Sequence, residues 1–425
     1  LTVDVPTNGN NLSVGTPTYI NWTRVGNVST VKIEYSYDAG SSWKGLATSI
    51  NASNQNWTWN INSSENTTVV GRIKLTDEDN TNTTDTSTGN FSVKGSLSIS
   101  VPNGGEVLTY TGSSQTYINW TKLGTMENVT LYYSNNSGTS WNTITNVTAS
   151  NLTYNWTIPN NISGNLSVKI ADQDDPTVND TSNNTFGIKG SLLVNYPNAS
   201  SGNWTVGWPQ YVNWTPTGNY TQNVVIEYYN ATGWNTLGTQ APGLNGALQS
   251  FTLPTNVPND ITTSAKVRVK TNETNSSINV NNESNTFRII GTLDITAPAG
   301  GNILYYGTSK YINWTSNGTV TPLDILYSVN NGGTWYDVER NYTATAGDNS
   351  YTWPVPDRNN ESSCLVKIIH NKTGMTDIND TTAAFSILPI INVTKPASGD
   401  NLFAGSSNAT VNWTYTGTKI ANVDI

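Results

Sequence analysis

Apolar and polar residues alternate one-for-one over short stretches along this chain, and no segment carries convincing apolar spacing of three to four residues. "VKIEYS" (31–36), "VTLYYS" (129–134), "VVIEYY" (224–229) and "LDILYS" (323–328) are the clearest cases. A period of two over four to eight residues, bounded by Gly, Asn, Asp and Pro, predicts half-buried β-strands.

The strands recur as a set. "YINWT" at 19–23 returns at 117–121 and 311–315, with "YVNWT" at 211–215 and "TVNWT" at 410–414. Each unit opens on an apolar strand closed by Pro and a turn, such as "LTVDVPTNG" or "LSISVPNGG", then runs through the NWT strand and the alternating strand. A turn leading to a second Trp follows ("YDAGSSW", "NNSGTSW", "NATGW", "VNNGGTW"), and closing strands such as "NFSVKG" end the unit. A fixed period decides architecture. About seven short strands per unit of roughly 100 residues predict an all-β protein made of tandem immunoglobulin-like β-sandwiches. The expected boundaries are 1–95, 96–190, 191–291 and 292–388, with 389–425 as the first part of a fifth repeat. Junctions such as "FSVKGSLSIS" (91–100) leave one or two residues between units, so a semi-rigid rod is expected rather than freely tethered beads.

Strand parity assigns the faces. Successive side chains point to opposite sides, so Ile20 and Trp22 turn inward while Asn21 and Thr23 face solvent. The expected core tryptophans are Trp22, Trp120, Trp214, Trp314 and Trp413 of the NWT strands, and Trp43, Trp141, Trp234 and Trp335 of the turns. The NWT asparagines are glycosylation acceptors by sequence, and 36 of the 62 Asn residues stand in Asn-x-Ser/Thr. We single out Asn21, Asn56, Asn119, Asn128, Asn155, Asn213, Asn313, Asn371 and Asn412 as acceptor candidates. Burial and glycosylation can share one pentapeptide because they use opposite faces.

Composition narrows the partners. Only 12% of residues are charged and the net charge is −9, which argues against a nucleic-acid backbone as partner. No apolar run reaches the ~18 residues of a membrane span. A single cysteine, Cys364, excludes an internal disulfide framework and is expected in the core. The sequon density places the protein outside the cell, at the surface or beyond.

The motif order "VPNGGE" (101–106), "INWT", "VKIEYS", "YDAGSSW" and "WTIP", closing on "FSVKG", resembles the Kre9/Knh1-like immunoglobulin-type tandem repeats of prokaryotic cell-surface and fungal cell-wall proteins. The resemblance covers all four units and the partial fifth. Unit three departs most, with a shortened turn and "SFTLP" lacking its Trp. It implies a surface module and no defined activity. The composition is also similar to that of archaeal surface-layer or filament glycoproteins.

Other chemistry finds less support. "SYDAGSSW" (36–43) fits the Asp-box of sialidase-like propellers, but a propeller blade repeats at about half the period seen here. The acidic loops offer Asp77, Asp79 and Asp85, or Asp172, Asp174 and Asp180, as oxygen ligands for Ca²⁺; a solvated hairpin loop is the preferred account. His370, the one histidine, is expected as a surface imidazole with no nucleophile beside it. Trp204 and Trp208 are the candidates for exposed aromatics. The expectation is therefore a non-enzymatic, N-glycosylated structural protein that self-associates into a filament, sheath or surface layer. It needs no cofactor beyond its glycans. The alternatives are an adhesin stalk presenting a binding head, or an array of carbohydrate-binding repeats. The chain stops at "VDI", where Val423 and Ile425 are expected to face a core completed by further chain or by another subunit.

Overall fold

A computed structural model of the chain describes every residue except 199, 201, 231, 358–360, 406–408, 418–419, 421 and 425. Ile425 thus lies outside the described residues. The first unit holds nine strands: β1 (Thr2–Val5), β2 (Asn11–Ser13), β3 (Pro17–Thr23), β4 (Thr30–Ser36), β5 (Lys44–Asn51), β6 (Asn56–Asn60), β7 (Thr68–Asp77), β8 (Thr84–Thr86) and β9 (Phe91–Lys94). They form two sheets, one ordered β1-β3-β6 and the other β2-β9-β7-β4-β5, with β8 added on β7. All pairings are antiparallel except β2 with β9. The same two-sheet order recurs in strands spanning Ser96–Lys189, Ser191–Ile290 and Thr292–Leu388. The chain is therefore an array of immunoglobulin-like sandwiches. Nine strands replace the expected seven, because β2 and β8 are three-residue pieces too short to show a period in sequence.

The NWT strand supplies the plug of each core. Trp22, Trp120, Trp214 and Trp314 are buried, and the indole Nε1 of the first three donates to Ala52 O (3.1 Å), Ala149 O (3.0 Å) and Pro242 O (3.2 Å). Full burial of such a ring removes a large apolar area from water, and the hydrogen bond meets its one polar atom. Cys364 is likewise buried, and burial pushes its thiol up to about 11.

A recurrent tie joins the first strand to the second sheet. A side-chain oxygen of Asp85, Asp180, Asn282 or Asp380 accepts from the backbone N–H of Val3, Ile99, Val194 or Ile295, at 2.7 to 2.8 Å. Each bond spans more than 80 residues and satisfies an N–H at the bulge that ends the first strand's pairing.

Neighbouring units touch through one repeated contact. The loop before β7, or its counterpart, meets the loop after the next unit's NWT strand. Gly124 and Thr125 donate their N–H groups to Ser63 O and Glu65 O; Asn219 and Thr319 donate theirs to Asn160 Oδ1 (2.8 Å) and Asn259 Oδ1 (2.7 Å). Ion pairs Lys94–Asp175 (3.1 Å) and Arg288–Asp377 (2.6 Å) flank two of the joints. The cores of the second and third units run together, with Ile162 and Tyr220 buried near their boundary.

Four expectations are corrected. Trp204 is buried rather than exposed, because its short strand pairs with Ile289 and Ile290 and its ring packs on Phe287 at 4.7 Å. Trp208 is exposed. His370 is buried, not a surface imidazole, since strand Glu361–His370 carries its alternation to its last residue. Trp413 is only half-buried: Ile390–Lys395 and Asn412–Thr416 form a two-stranded sheet, and no second sheet covers it among the described residues. Val423 is half-buried and belongs to no strand. Cys364 occupies the core position expected of it.

Burial holds the His370 imidazole below its ordinary value, with Nε2 3.0 Å from Thr321 O. The unfolded chain then binds the extra proton first as pH falls, so stability drops below about pH 6.5 and is full above it. Hydrogen exchange is expected to show the fourth unit loosening between pH 7 and pH 5 while the other three, which lack histidine, change less. A uniform response of all four units would refute the assignment.

Candidate functional site

The three-stranded sheet of each unit presents one wet face, and Asn21, Asn119, Asn213 and Asn313 stand on it. In β3 the burial alternates so that Ile20 and Trp22 are buried while Tyr19 and Thr23 are exposed and Asn21 is half-buried. Asn119, Asn213 and Asn313 occupy the same half-buried outward position in their units. On the strand paired with it, Asn56 lies opposite Asn21 and is exposed. Asn155 lies opposite Tyr117, exposed, with its amide Nδ2 donating to Gln115 Oε1 at 2.9 Å. Asn412 is exposed on the two-stranded sheet.

Two acceptor amides are held in place. Thr153 Oγ1 donates to Asn119 Oδ1 at 2.6 Å, and Ser350 Oγ donates to Asn313 Oδ1 at 2.7 Å. With the oxygen turned toward the partner strand, each Nδ2, the atom a sugar would be attached to, is directed the other way. Over Asn313 the face is concave, with a cavity of about 540 Å³ lined by Tyr311, Asn313, Thr315, Asp348 and Ser350. Asn128 is half-buried at the start of strand Asn128–Ser134 in the larger sheet, and Asn371 is exposed. Like Asn155, Asn371 already commits its Nδ2, which donates to Asp324 Oδ1 (3.1 Å) and Asn341 Oδ1 (3.0 Å).

The turn tryptophans are not core. Trp43, Trp141, Trp234 and Trp335 are half-buried on the outer face of the larger sheet, each beneath a cation from the β7 strand or its counterpart. Lys74 lies 4.4 Å from the Trp43 ring, Lys169 5.0 Å from Trp141, Arg268 4.0 Å from Trp234 and Lys367 5.8 Å from Trp335. The hairpin turn ends just before each Trp, and the rings of Trp43, Trp141 and Trp335 fold back over the glycine of their own turn instead of entering the sandwich. A Cβ at Gly40, Gly138 or Gly332 would sit 3.4 to 3.5 Å from that ring. These rings thus cap the outer face and hold long cationic stems against it.

The Asp-box turn spends its polar atoms on itself. Asp38 accepts from Ser42 Oγ (2.6 Å), Ser42 N (2.8 Å) and Ser36 Oγ (2.7 Å), and Gly40 N donates to Ser36 Oγ. Asn136 and Asn330 repeat the pattern. The Ser42 hydroxyl foremost, then its N–H and Ser36, hold the Asp38 carboxyl down at about 2. The turn's contribution to stability is therefore present above the ordinary carboxylate value of about 3.9 and lost as pH falls through about 2. An NMR titration is expected to find Asp38 near 2 in the native chain and moved up toward the ordinary range in Ser42→Ala; an unmoved value would refute this cause.

The acidic loops do not gather as a ligand set. Asp85 and Asp180 are committed to the first-strand N–H groups, and Asp77 and Asp172 accept from Asp79 N (3.0 Å) and Asp174 N (3.1 Å) in local turns. No group of three or more His, Cys, Asp or Glu side chains that could hold a metal ion occurs among the described residues. Calcium, the lesser of the two readings of these loops, left out the backbone donors that the fold brings to Asp85 and Asp180 from more than 80 residues away.

One row of residues escaped the sequence reading. Tyr19, Tyr117, Tyr211 and Tyr311 stand two residues before the acceptor asparagines, on the same outward face, and all four are exposed. Strand parity already placed them there, but the pentapeptide's first letter was taken only as part of the repeat.

No helix among the described residues is long and apolar enough to cross a membrane. No family model and no curated protein matches the chain. Among solved structures, Sidekick-1 immunoglobulin domains 1–5 align over 91% of this chain and 80% of their own, at 11% identity and a TM-score of 0.25. An ICAM-5 ectodomain fragment aligns over 71% and 80%, at 11% identity and a TM-score of 0.30. Drosophila OTK extracellular domains 3–5 align over 69% and 96%, at 13% identity and a TM-score of 0.26. At such scores these likenesses add nothing to the fold, which stands on strand order and register: four successive two-sheet immunoglobulin-like sandwiches and a further strand pair.

Proposed function

We propose that this chain is a non-enzymatic, densely N-glycosylated structural protein of the cell exterior, whose tandem immunoglobulin-like repeats build a filament, sheath or surface layer. The observation that carries the reading is the repeated outward placement of Asn21, Asn119, Asn213 and Asn313, each beside a tryptophan that plugs the core beneath it. A sugar there costs the fold nothing, since it leaves from the wet face of an antiparallel sheet. Bulky sugars would also shield those faces from strand addition by other chains and supply the solvation that a chain with 12% charged residues lacks. N-linked glycans are the one attached group the reading requires, and copies of the same chain are its expected partners. The hydrogen-bonded joints favour a load-bearing array over loosely tethered binding modules, because units that move freely do not keep repeated contacts. The resemblance to Kre9/Knh1-like surface repeats points the same way.

The test is electron cryomicroscopy of assemblies sheared from the native cells, with glycopeptide mass spectrometry on the same material. Ordered filaments or a lattice, with density branching from Asn21, Asn119 and Asn313, are expected. Separate rods ending in an unrelated head would make the protein an adhesin stalk. Bare asparagines would overturn the glycoprotein reading.

A further inference from the structure

We infer that Tyr19, Tyr117 and Tyr311 are stacking platforms for the first sugar attached to Asn21, Asn119 and Asn313. The inference rests on the proposed glycosylation and adds what the chain does with the sugar. Tyr19 is 61% exposed, Tyr117 58% and Tyr311 62%, high values for aromatic rings in the middle of paired strands. The usual reason for an aromatic on a sheet surface is a ring on the neighbouring strand. Here the residues directly opposite are Thr58, Asn155 and Thr352, and none of the three tyrosines makes a ring contact among the described residues.

What each ring does have is an acceptor asparagine two residues on, with the sequon threonine two beyond that: Tyr19, Asn21 and Thr23, and likewise 117, 119 and 121, or 311, 313 and 315. Residues i and i+2 of a strand share a face about 7 Å apart. A pyranose linked to the amide therefore has the phenol ring within its reach. One face of a hexopyranose carries mostly C–H groups, apolar and slightly positive, whereas the face of an aromatic ring is negative, so the two are matched in shape and charge. In the fourth unit the cavity over Asn313 is bounded by Tyr311 on one side and by Asp348 and Ser350 on the other, so a sugar seated there meets an aromatic wall and polar partners for its hydroxyls.

The third unit marks the limit of the arrangement. Tyr211 stacks on Tyr196 at 4.5 Å between ring centroids, so one of its faces is taken, and its exposure falls to 44%. Asn213 is therefore excluded from the proposal, and it provides a comparison site within the same chain.

The experiment uses the full chain isolated with its glycans, in native form and as Tyr311→Ala, Tyr311→Phe and Tyr211→Ala. Mass spectrometry reads occupancy at Asn313 and Asn213, and NMR of isotope-labelled glycan reads the ring-current displacement of the first sugar's C–H protons. Tyr311→Ala is expected to abolish the displacement at Asn313 and lower its occupancy about twofold or more, the lower bound for an aromatic contact. Tyr311→Phe keeps both, and Tyr211→Ala leaves Asn213 as it was. An occupied Asn313 whose sugar protons are unmoved by Tyr311→Ala overturns the stacking and leaves the glycoprotein reading standing. Loss in Tyr311→Phe as well would assign the contact to the hydroxyl and overturn stacking too. Bare Asn21, Asn119 and Asn313 in the native chain overturn both.

Discussion

Trp120→Ala is expected to unfold the second unit at temperatures where the others persist, at a cost of about 3 to 5 kcal/mol. The ring is 2% exposed, and its Nε1 donates to Ala149 O at 3.0 Å. Removing it opens a cavity the size of an indole and leaves that carbonyl without its partner. A domain of this size holds ~5 to 15 kcal/mol in all, so the loss is a large fraction of what keeps the unit folded. Trp141→Ala provides the contrast. That ring is half-buried on the outer face beneath Lys169, 5.0 Å away, and losing an exposed cation–π contact costs about 0.5 to 1 kcal/mol. Calorimetry of the full chain should show an early transition split off in Trp120→Ala and a trace close to native in Trp141→Ala. Equal effects would refute the division of the tryptophans into core plugs and surface caps.

That division also shows how far the sequence could be read. The NWT tryptophans were legible because a strand of strict alternation fixes both faces once one is known; Ile20 and Trp22 went in, and Asn21 came out. The turn tryptophans were not, because a hairpin breaks the parity: Gly40 and Ala39 adopt positive φ, the chain reverses, and the ring at Trp43 ends on the far side of the sheet. Recurrence at equivalent positions signals a shared role and cannot by itself distinguish a core position from a surface cap. The acidic loops read as solvated hairpins with calcium as the lesser alternative, and the long-range ties of two of their carboxylates stayed hidden for a different reason. Asp85 and Asp180 find their partners, Val3 N and Ile99 N, over 80 residues away, and no local pattern encodes a contact of that range. His370 shares the buried face of its strand with Val366 and Ile368, so alternation places it inward; it escaped because a position at the strand end suggests exposure. The tyrosines were visible all along: the rule that turned Asn21 outward turned Tyr19 outward with it.

The joints between units give the second large effect. Gly190→Ala is expected to pry the third unit from the second while leaving both folded. Gly190 is buried, and its φ lies outside the left-handed region, so an alanine there meets no backbone strain. Space is the obstacle. A Cβ at Gly190 would lie 1.8 Å from Thr217 O, a backbone atom at the end of the next NWT strand that cannot rotate away. Gly95 and Gly291 stand in the same relation to Leu123 O (2.4 Å) and Asn317 O (2.5 Å). Overpacking of a filled interior costs about 1 to 3 kcal/mol. Here the cheapest relief is to move one unit against the other, because each sandwich keeps its own tryptophan plug. The bond from Asn219 N to Asn160 Oδ1 would be the first casualty. Hydrogen exchange at Asn219 should therefore quicken, and X-ray scattering should register a broader distribution of shapes, with the unfolding of each unit little changed. Gly45→Ala, where the added methyl meets nothing within 4 Å, should do neither. If Gly190→Ala leaves the exchange and the scattering untouched, the glycine is not what lets the units close on each other. Any rigidity of the joint would then have to come from the loop contacts alone.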